Sequence, residues 1–238
     1  MTDSLKSREI IRKTAAARKA SNMSDYHESY DGFRWSTARS LLEGLPGDHR
    51  NSAHEAVDRH LSTGHGNQIA MRWIAKSGDR TDFTYAELSS LTNRFANVLC
   101  ANGLTKGDRV YALLGRVPEL YIAALGTLTA GCVFCPRFSA FGPEPIKARM
   151  QICAADALVT STRLYSRKVA GIRAALPTLK TVFPIDGNLP DTVALQSLME
   201  AASSQFKTET TEPEDTALLH FTSGTTGKPK GVVHVHQA

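Results

Sequence analysis

Hydrophobic and polar positions along the 238-residue chain fall into periods that change from segment to segment. Over 51–61 the apolar spacing predicts a short helix, and over 68–75 apolar and polar residues alternate as in a strand. A stronger signal follows. Thr84 and Glu87 stand three apart, as a capping box requires, and Leu88, Leu91, Phe95, Val98 and Leu99 then recur at helical spacing until Gly103. Further along, strands are predicted at 108–114, 132–135, 157–160, 181–185 and 216–221. Helices are predicted at 119–129, after Pro118, and at 146–154, 167–176 and 193–202. Strand and helix thus alternate with short connections. This predicts an α/β fold with helices packed on a mainly parallel sheet, and in such sheets ligand loops belong at the carboxyl ends of strands.

Residues 1–50 lack that regularity. They are polar, with Tyr26, Tyr30, Phe33 and Trp35 as large anchors, and predict an N-terminal extension over 1–50 docked on a main domain over 51–238. Lys6, Arg8, Arg12, Lys13, Arg18 and Lys19 outnumber Asp3 and Glu9 at its start. A mobile basic extension is expected there, with an organelle transit peptide as the alternative. The formal charge of +5 comes without Lys/Arg blocks interleaved with aromatics, so no nucleic-acid partner is expected. No apolar run approaches the roughly 20 residues of a bilayer span. Nor does the start carry the apolar stretch of a secretory signal, so a cytoplasmic protein without a membrane partner is expected.

The four cysteines add little chemistry. Cys132 and Cys135 lie in an apolar run of strand character, where residues three apart face opposite ways and do not readily share a metal. Buried reduced thiols are therefore expected at Cys100, Cys132, Cys135 and Cys153. His54-Glu55 has no histidine four residues after His54, which rejects the zinc-protease pattern. His234 and His236 share a face only if that segment is extended, and no metal site is expected.

One segment does suggest chemistry. Thr222-Ser-Gly-Thr-Thr-Gly-Lys-Pro-Lys-Gly231 follows a predicted strand and places four hydroxyl residues, three glycines and two lysines within ten positions. Glycines allow backbone shapes that point several amides inward, hydroxyls add donors and lysines add charge, which together suit a polyphosphate. The same composition also suits a plain flexible connection. The P-loop spacing fails, because position 222 is threonine where glycine is required, and no G-x-G-x-x-G is present.

Residues 222–231 closely resemble the phosphate-loop signature of the adenylate-forming superfamily, which includes acyl-CoA synthetases, luciferases and peptide-synthetase adenylation domains. Phe83-Thr-Tyr-Ala-Glu-Leu88, Gly107-Asp-Arg-Val110, Arg116-Val-Pro-Glu119 and the 131–136 segment look like that superfamily's successive landmarks in their usual order. Val57-Asp-Arg-His60 and Phe138-Ser-Ala-Phe-Gly-Pro-Glu-Pro-Ile146 resemble the AMP-forming acetyl-CoA synthetase branch, in which Arg137 stands where an apolar residue is expected.

The resemblance implies a ligase that joins acetate or another short carboxylate to ATP, releasing pyrophosphate, and then passes the acyl group to CoA, with Mg2+ accompanying ATP. It implies that Thr222, Ser223, Thr225 and Thr226 donate to the β and γ phosphates. Gly224 and Gly227 would permit the loop shape, while Lys228, with Lys230, would supply charge. Arg163, Arg167 and Lys168 fall near the place where such enzymes contact CoA phosphates, with a solvated helix start as the competing account. Family members continue well beyond this length, so the resemblance covers an N-terminal fragment of the enzyme. A medium-chain acyl or aryl ligase fragment, a non-catalytic remnant and a nucleotide-binding module are the other readings.

Overall fold

The computed structural model describes residues 12–19, 23, 25–222 and 229–238. The chain divides after Leu42 into two compact units. The first contains three short helices, α1 (Ala15–Lys19), α2 (Tyr26–Gly32) and α3 (Trp35–Ser40). Asp25 caps α2 by accepting the Glu28 amide at 2.9 Å. One turn apart on that helix, the Tyr26 and Tyr30 rings stack with centroids 5.8 Å apart, and Phe33 meets Trp35 edge-on at 5.1 Å. The residues expected as anchors thus pack on one another.

The second unit takes in residues 43–50. The Arg50 amide donates to the Thr211 carbonyl at 2.9 Å, and the Gly44 amide donates to the Glu55 carboxylate at 2.6 Å. A π-helical turn, His54–Asp58, then runs into α4 (Arg59–Ser62), the short helix expected over 51–61. The strands β1 (Ile69–Ile74) and β2 (Arg80–Thr84) form an antiparallel hairpin that turns at Gly78, whose φ is +94°. The β2 strand is not evident from apolar alternation, since its only large apolar residue is Phe83. Pairing across the hairpin supports it instead, with Arg72 donating from Nε and Nη2 to both oxygens of Asp82 at 2.6 and 2.7 Å.

Helix α5 (Tyr85–Ala101) starts at the expected box: Thr84 Oγ1 accepts the Glu87 amide at 3.2 Å, and the Glu87 carboxylate accepts the Thr84 amide at 2.8 Å. Helix α6 (Pro118–Thr129) approaches it closely, because a Cβ on Gly126 would lie 2.7 Å from the Thr92 carbonyl oxygen. Asp58 accepts the Ser89 hydroxyl of α5 at 3.0 Å and the Thr208 hydroxyl at 2.8 Å, so this residue of the Val57–His60 motif joins distant segments.

The main sheet consists of β3 (Arg109–Leu114), β4 (Val133–Phe138), β5 (Ala157–Thr160), β6 (Thr181–Pro184), β7 (Thr216–Thr222) and β8 (Lys230–Val235). Their order is β6-β5-β3-β4-β7-β8, parallel except for β8, which is antiparallel to β7. The remaining helices are α7 (Pro143–Ile152), α8 (Thr162–Lys168) with a 3-10 turn at Ala170–Ala175, and α9 (Leu195–Ala201). Residues along β3 alternate between two cores. Val110 and Leu114 face α5, α6 and α9, whereas Tyr111 and Leu113 face α7 and α8. Cys132 lies in the first core and Cys135 in the second, so the two thiols face opposite ways. All four cysteines are free, and Cys100, expected to be buried, is exposed. No helix among the described residues is long and apolar enough to cross a membrane.

Candidate functional site at the carboxyl end of the sheet

Helix α6 follows β3 on one face of the sheet and α7 follows β4 on the other. In open sheets of this kind, ligands are bound at the carboxyl ends of the strands where the helices diverge in this way. Thr222, the last residue of β7, pairs in register with Lys230, the first of β8, and both are exposed. The hydroxyl and the ammonium thus stand at the two feet of one hairpin. The intervening site residues Ser223, Gly224, Thr225, Thr226, Gly227 and Lys228 lie outside the described residues.

The basic residues of the next helix are arranged differently from expectation. Ser161 caps α8 by accepting the Leu164 amide at 3.2 Å, so the helix starts at Thr162 rather than at 167. Arg167 and Lys168 consequently fall in its last turn, where the helix dipole favours a cation, and not at a helix start. Arg163 and Arg167 are exposed. Lys168 turns inward to the loop after β4, where its Nζ donates to the carbonyls of Ser139 and, at 2.8 Å, Phe141. Lys168 therefore does not join the exposed Arg163 and Arg167, and it holds the 138–142 segment at the sheet's mouth.

Arg137 occupies the same mouth. It is the penultimate residue of β4, buried, with its guanidinium carbon 4.6 Å from the Tyr111 ring centroid and 4.2 Å from that of Phe221. The apolar residue expected at this position is thus replaced by a cation lying over two aromatic rings. Sequence alone flagged Arg137 but carried no sign of the two rings that hold it. Burial raises the Tyr111 hydroxyl far above its ordinary value. Hydrogen bonding with Cys135 holds the Cys153 thiol below its ordinary value, aided by Tyr111 and the Arg137 charge and opposed by burial. Burial pushes Cys132, in the other core, up to about 12.

A cleft of about 580 Å³ opens at the opposite, amino end of the strands, lined in part by Lys106, Arg109, Asp215 and Thr216. Its cations already have partners: Lys106 meets Asp215 at 2.7 Å, and Arg109 meets Asp156 at 2.8 Å. That neutralisation makes the amino end a poor anion site, whereas the carboxyl end keeps Lys230 exposed and Arg137 without an acceptor on Nε or Nη2. No three His, Cys, Asp or Glu side chains gather as a metal site among the described residues.

Residues 58–238 match the family described as AMP-binding enzyme. An acetyl-coenzyme A synthetase of Bacillus subtilis is 35% identical over 221 residues, covering 91% of this chain and 38% of that protein. The crystal structure of an acyl-CoA synthetase from Brucella canis superposes with a TM-score of 0.76 at 29% identity, covering 88% of this chain and 38% of that one. An anthranilate CoA ligase in complex with anthranoyl-AMP shares the fold with a TM-score of 0.74 at 21% identity. The chain therefore spans well under half the length of the relatives it matches.

Proposed function

The chain belongs to the AMP-binding enzyme family, and on that premise we propose that it is the N-terminal, ATP-phosphate-binding part of an acetyl-CoA synthetase-like ligase. The domain reading is an N-terminal extension, expected over 1–50, followed by an AMP-binding domain expected over 51–238, with residues 43–50 belonging to the second compact unit. The observation that supports it best is the hairpin that leaves the sheet at Thr222 and rejoins it at Lys230, at the carboxyl end of a parallel sheet. In the proposed reaction an acetate oxygen forms a bond to the ATP α-phosphorus as the bond to pyrophosphate breaks. The CoA thiolate then bonds to the acyl carbon and AMP leaves, and the cytoplasm is the proposed compartment.

The proposed contribution of these residues is positioning and charge neutralisation, with no protein nucleophile. Thr222, Ser223, Thr225 and Thr226 donate to the β and γ phosphates, Gly224 and Gly227 set the loop shape, and Lys228 and Lys230 balance the charge. Mg2+ would accompany the nucleotide and help balance its phosphate charge, and none of the described residues is assigned to hold it. For CoA, the exposed Arg163 and Arg167 remain free to meet its phosphates, whereas Lys168 contributes through the loop it holds.

A test places residues 1–238 in a chimera that supplies the rest of the Bacillus subtilis relative, and measures carboxylate-dependent ATP–pyrophosphate exchange. Acetate is expected to exceed hexanoate and benzoate. A preference for either longer acid moves the protein to the medium-chain or aryl ligases, and no exchange with any acid removes the reading. In the same chimera, Lys228→Ala is expected to slow acyl-adenylate formation by about a hundredfold. Thioester formation from supplied acyl-adenylate should change much less, because pyrophosphate has already left. Equal losses in both steps would assign Lys228 to the fold.

A further inference from the structure

Arg137 is only 7% exposed, and its Nε and Nη2 atoms lie out of solvent with no hydrogen-bond partner among the described residues. Its guanidinium carbon lies over the ring faces of both Tyr111 and Phe221. Rings accept a cation on their faces but do not replace an oxygen acceptor for its N–H groups, so the Nε and Nη2 donors stay vacant. The exposed Arg72 fills the same Nε/Nη2 edge with both oxygens of Asp82, whereas Arg149 and Arg173 each leave Nε alone without a partner and Arg137 leaves both Nε and Nη2. Arg149 and Arg173 do find oxygen through their Nη atoms, Arg149 at the Pro145 carbonyl and Arg173 at the carbonyls of Leu176 and Leu179. A dry cation whose donor edge lacks an acceptor is costly for a fold to keep.

Its position gives that edge a use. Arg137 and Phe221 are penultimate in adjacent strands β4 and β7, and Thr222 is the next residue after Phe221. We propose that Arg137 is an oxyanion receptor at the carboxyl end of the sheet, its Nε/Nη2 edge taking two oxygens of a carboxylate or phosphate on the bound ligand. This rests on the reading of that end as the site for a nucleotide and a carboxylate. Burial against the two rings restrains the guanidinium before the ligand arrives, so the paired bonds form with little ordering of a flexible side chain. Because both nitrogens are sealed in the ligand-free chain, the side chains around the edge part as the ligand docks.

The test uses the 238-residue chain with 15N-labelled arginine, titrated separately with acetate and with pyrophosphate while the arginine Nε–H signals are followed. The Arg137 signal, assigned by its loss in Arg137→Lys, is expected to move saturably with one of the two, which identifies the anion class. Affinity for that anion is expected to fall at least tenfold in Arg137→Met and to be only partly recovered in Arg137→Lys, which keeps the charge but not the fork. Should Arg137→Met unfold, the signal in the unaltered chain and the affinity of Arg137→Lys decide. A signal that follows titration of the Cys153 thiol and ignores both anions overturns the proposal, giving the cation an internal partner. If Lys228→Ala abolishes pyrophosphate binding while Arg137→Met binds both anions as the unaltered chain does, the receptor falls and the loop reading stands. If the unaltered chain binds neither anion, both fall.

Discussion

At His236, Nδ1 accepts the Ser52 amide at 3.1 Å, while Nε2 is sealed without a partner. Burial pushes the ring down from 6.5 to about 4. Between those values the unfolded chain binds a proton that the folded chain refuses, so stability rises with pH across that window and is lost as pH falls from about 6.5 towards 4. The loss assignable to this one ring is on the order of 2 kcal/mol. Denaturant titrations at pH 7 and pH 4.5 should therefore show a smaller difference for His236→Gln than for the unaltered chain, and equal differences would place the acid sensitivity elsewhere. Gly126 provides a steric counterpart, since an added methyl meets the Thr92 carbonyl oxygen at 2.7 Å and Phe95 Cβ at 2.9 Å. Gly126→Ala is expected to destabilise by about 2 kcal/mol, seen as a lower thermal midpoint. Neither effect was legible in the sequence. Gly126 matters because two helices meet there, and the His236 ring because Ser52, far away in the chain, covers it.

At the scale of elements, legibility follows whether the signal is local. The box at Thr84 and Glu87 and the apolar spacing after it are contained within a few turns, and α5 begins where they predict. Thr84→Ala is expected to cost about 1 kcal/mol and to speed hydrogen exchange at the Glu87 amide before the middle of the helix responds. Strand β2 was missed because what secures it is the grip of Arg72 on Asp82 across the hairpin, which leaves no apolar period. Strand β8 was missed for a related reason: its residues are mostly exposed and take their order from pairing with β7. The displaced start of α8 traces to the side chain of Ser161, a cap read as part of a loop. Alternation did give the facing of the thiols correctly. In the native chain a thiol reagent is expected to label Cys100 rapidly and Cys132, Cys135 and Cys153 only as the protein unfolds, which mass spectrometry of the labelled peptides would check.

For the whole molecule, the two edges of the main sheet differ in protection. Strand β6 is four residues long and ends in Pro184, which has no N–H to offer a neighbour. Strand β8 has six residues, with Val232 41% and Val233 55% exposed, and among the described residues no further strand pairs with its outer backbone row. Such an edge favours pairing with another chain. The sheet is largely buried on both faces from β6 to β4, so the exposed valines concentrate this tendency at one side. The 238-residue chain is therefore expected to associate as its concentration rises, measurable as an increasing weight-average mass in sedimentation equilibrium. Val233→Lys puts a charge on the exposed side of β8, where the side chain is not needed for the core, and should return the chain towards the monomer with little change in its thermal midpoint. If the unaltered chain stays monomeric at concentrations used for NMR, the edge is protected by something other than the described residues. Association that persists unchanged in Val233→Lys would instead point away from β8, and the exposed rings of the first unit, Tyr26, Tyr30 and Trp35, are the next surface to substitute.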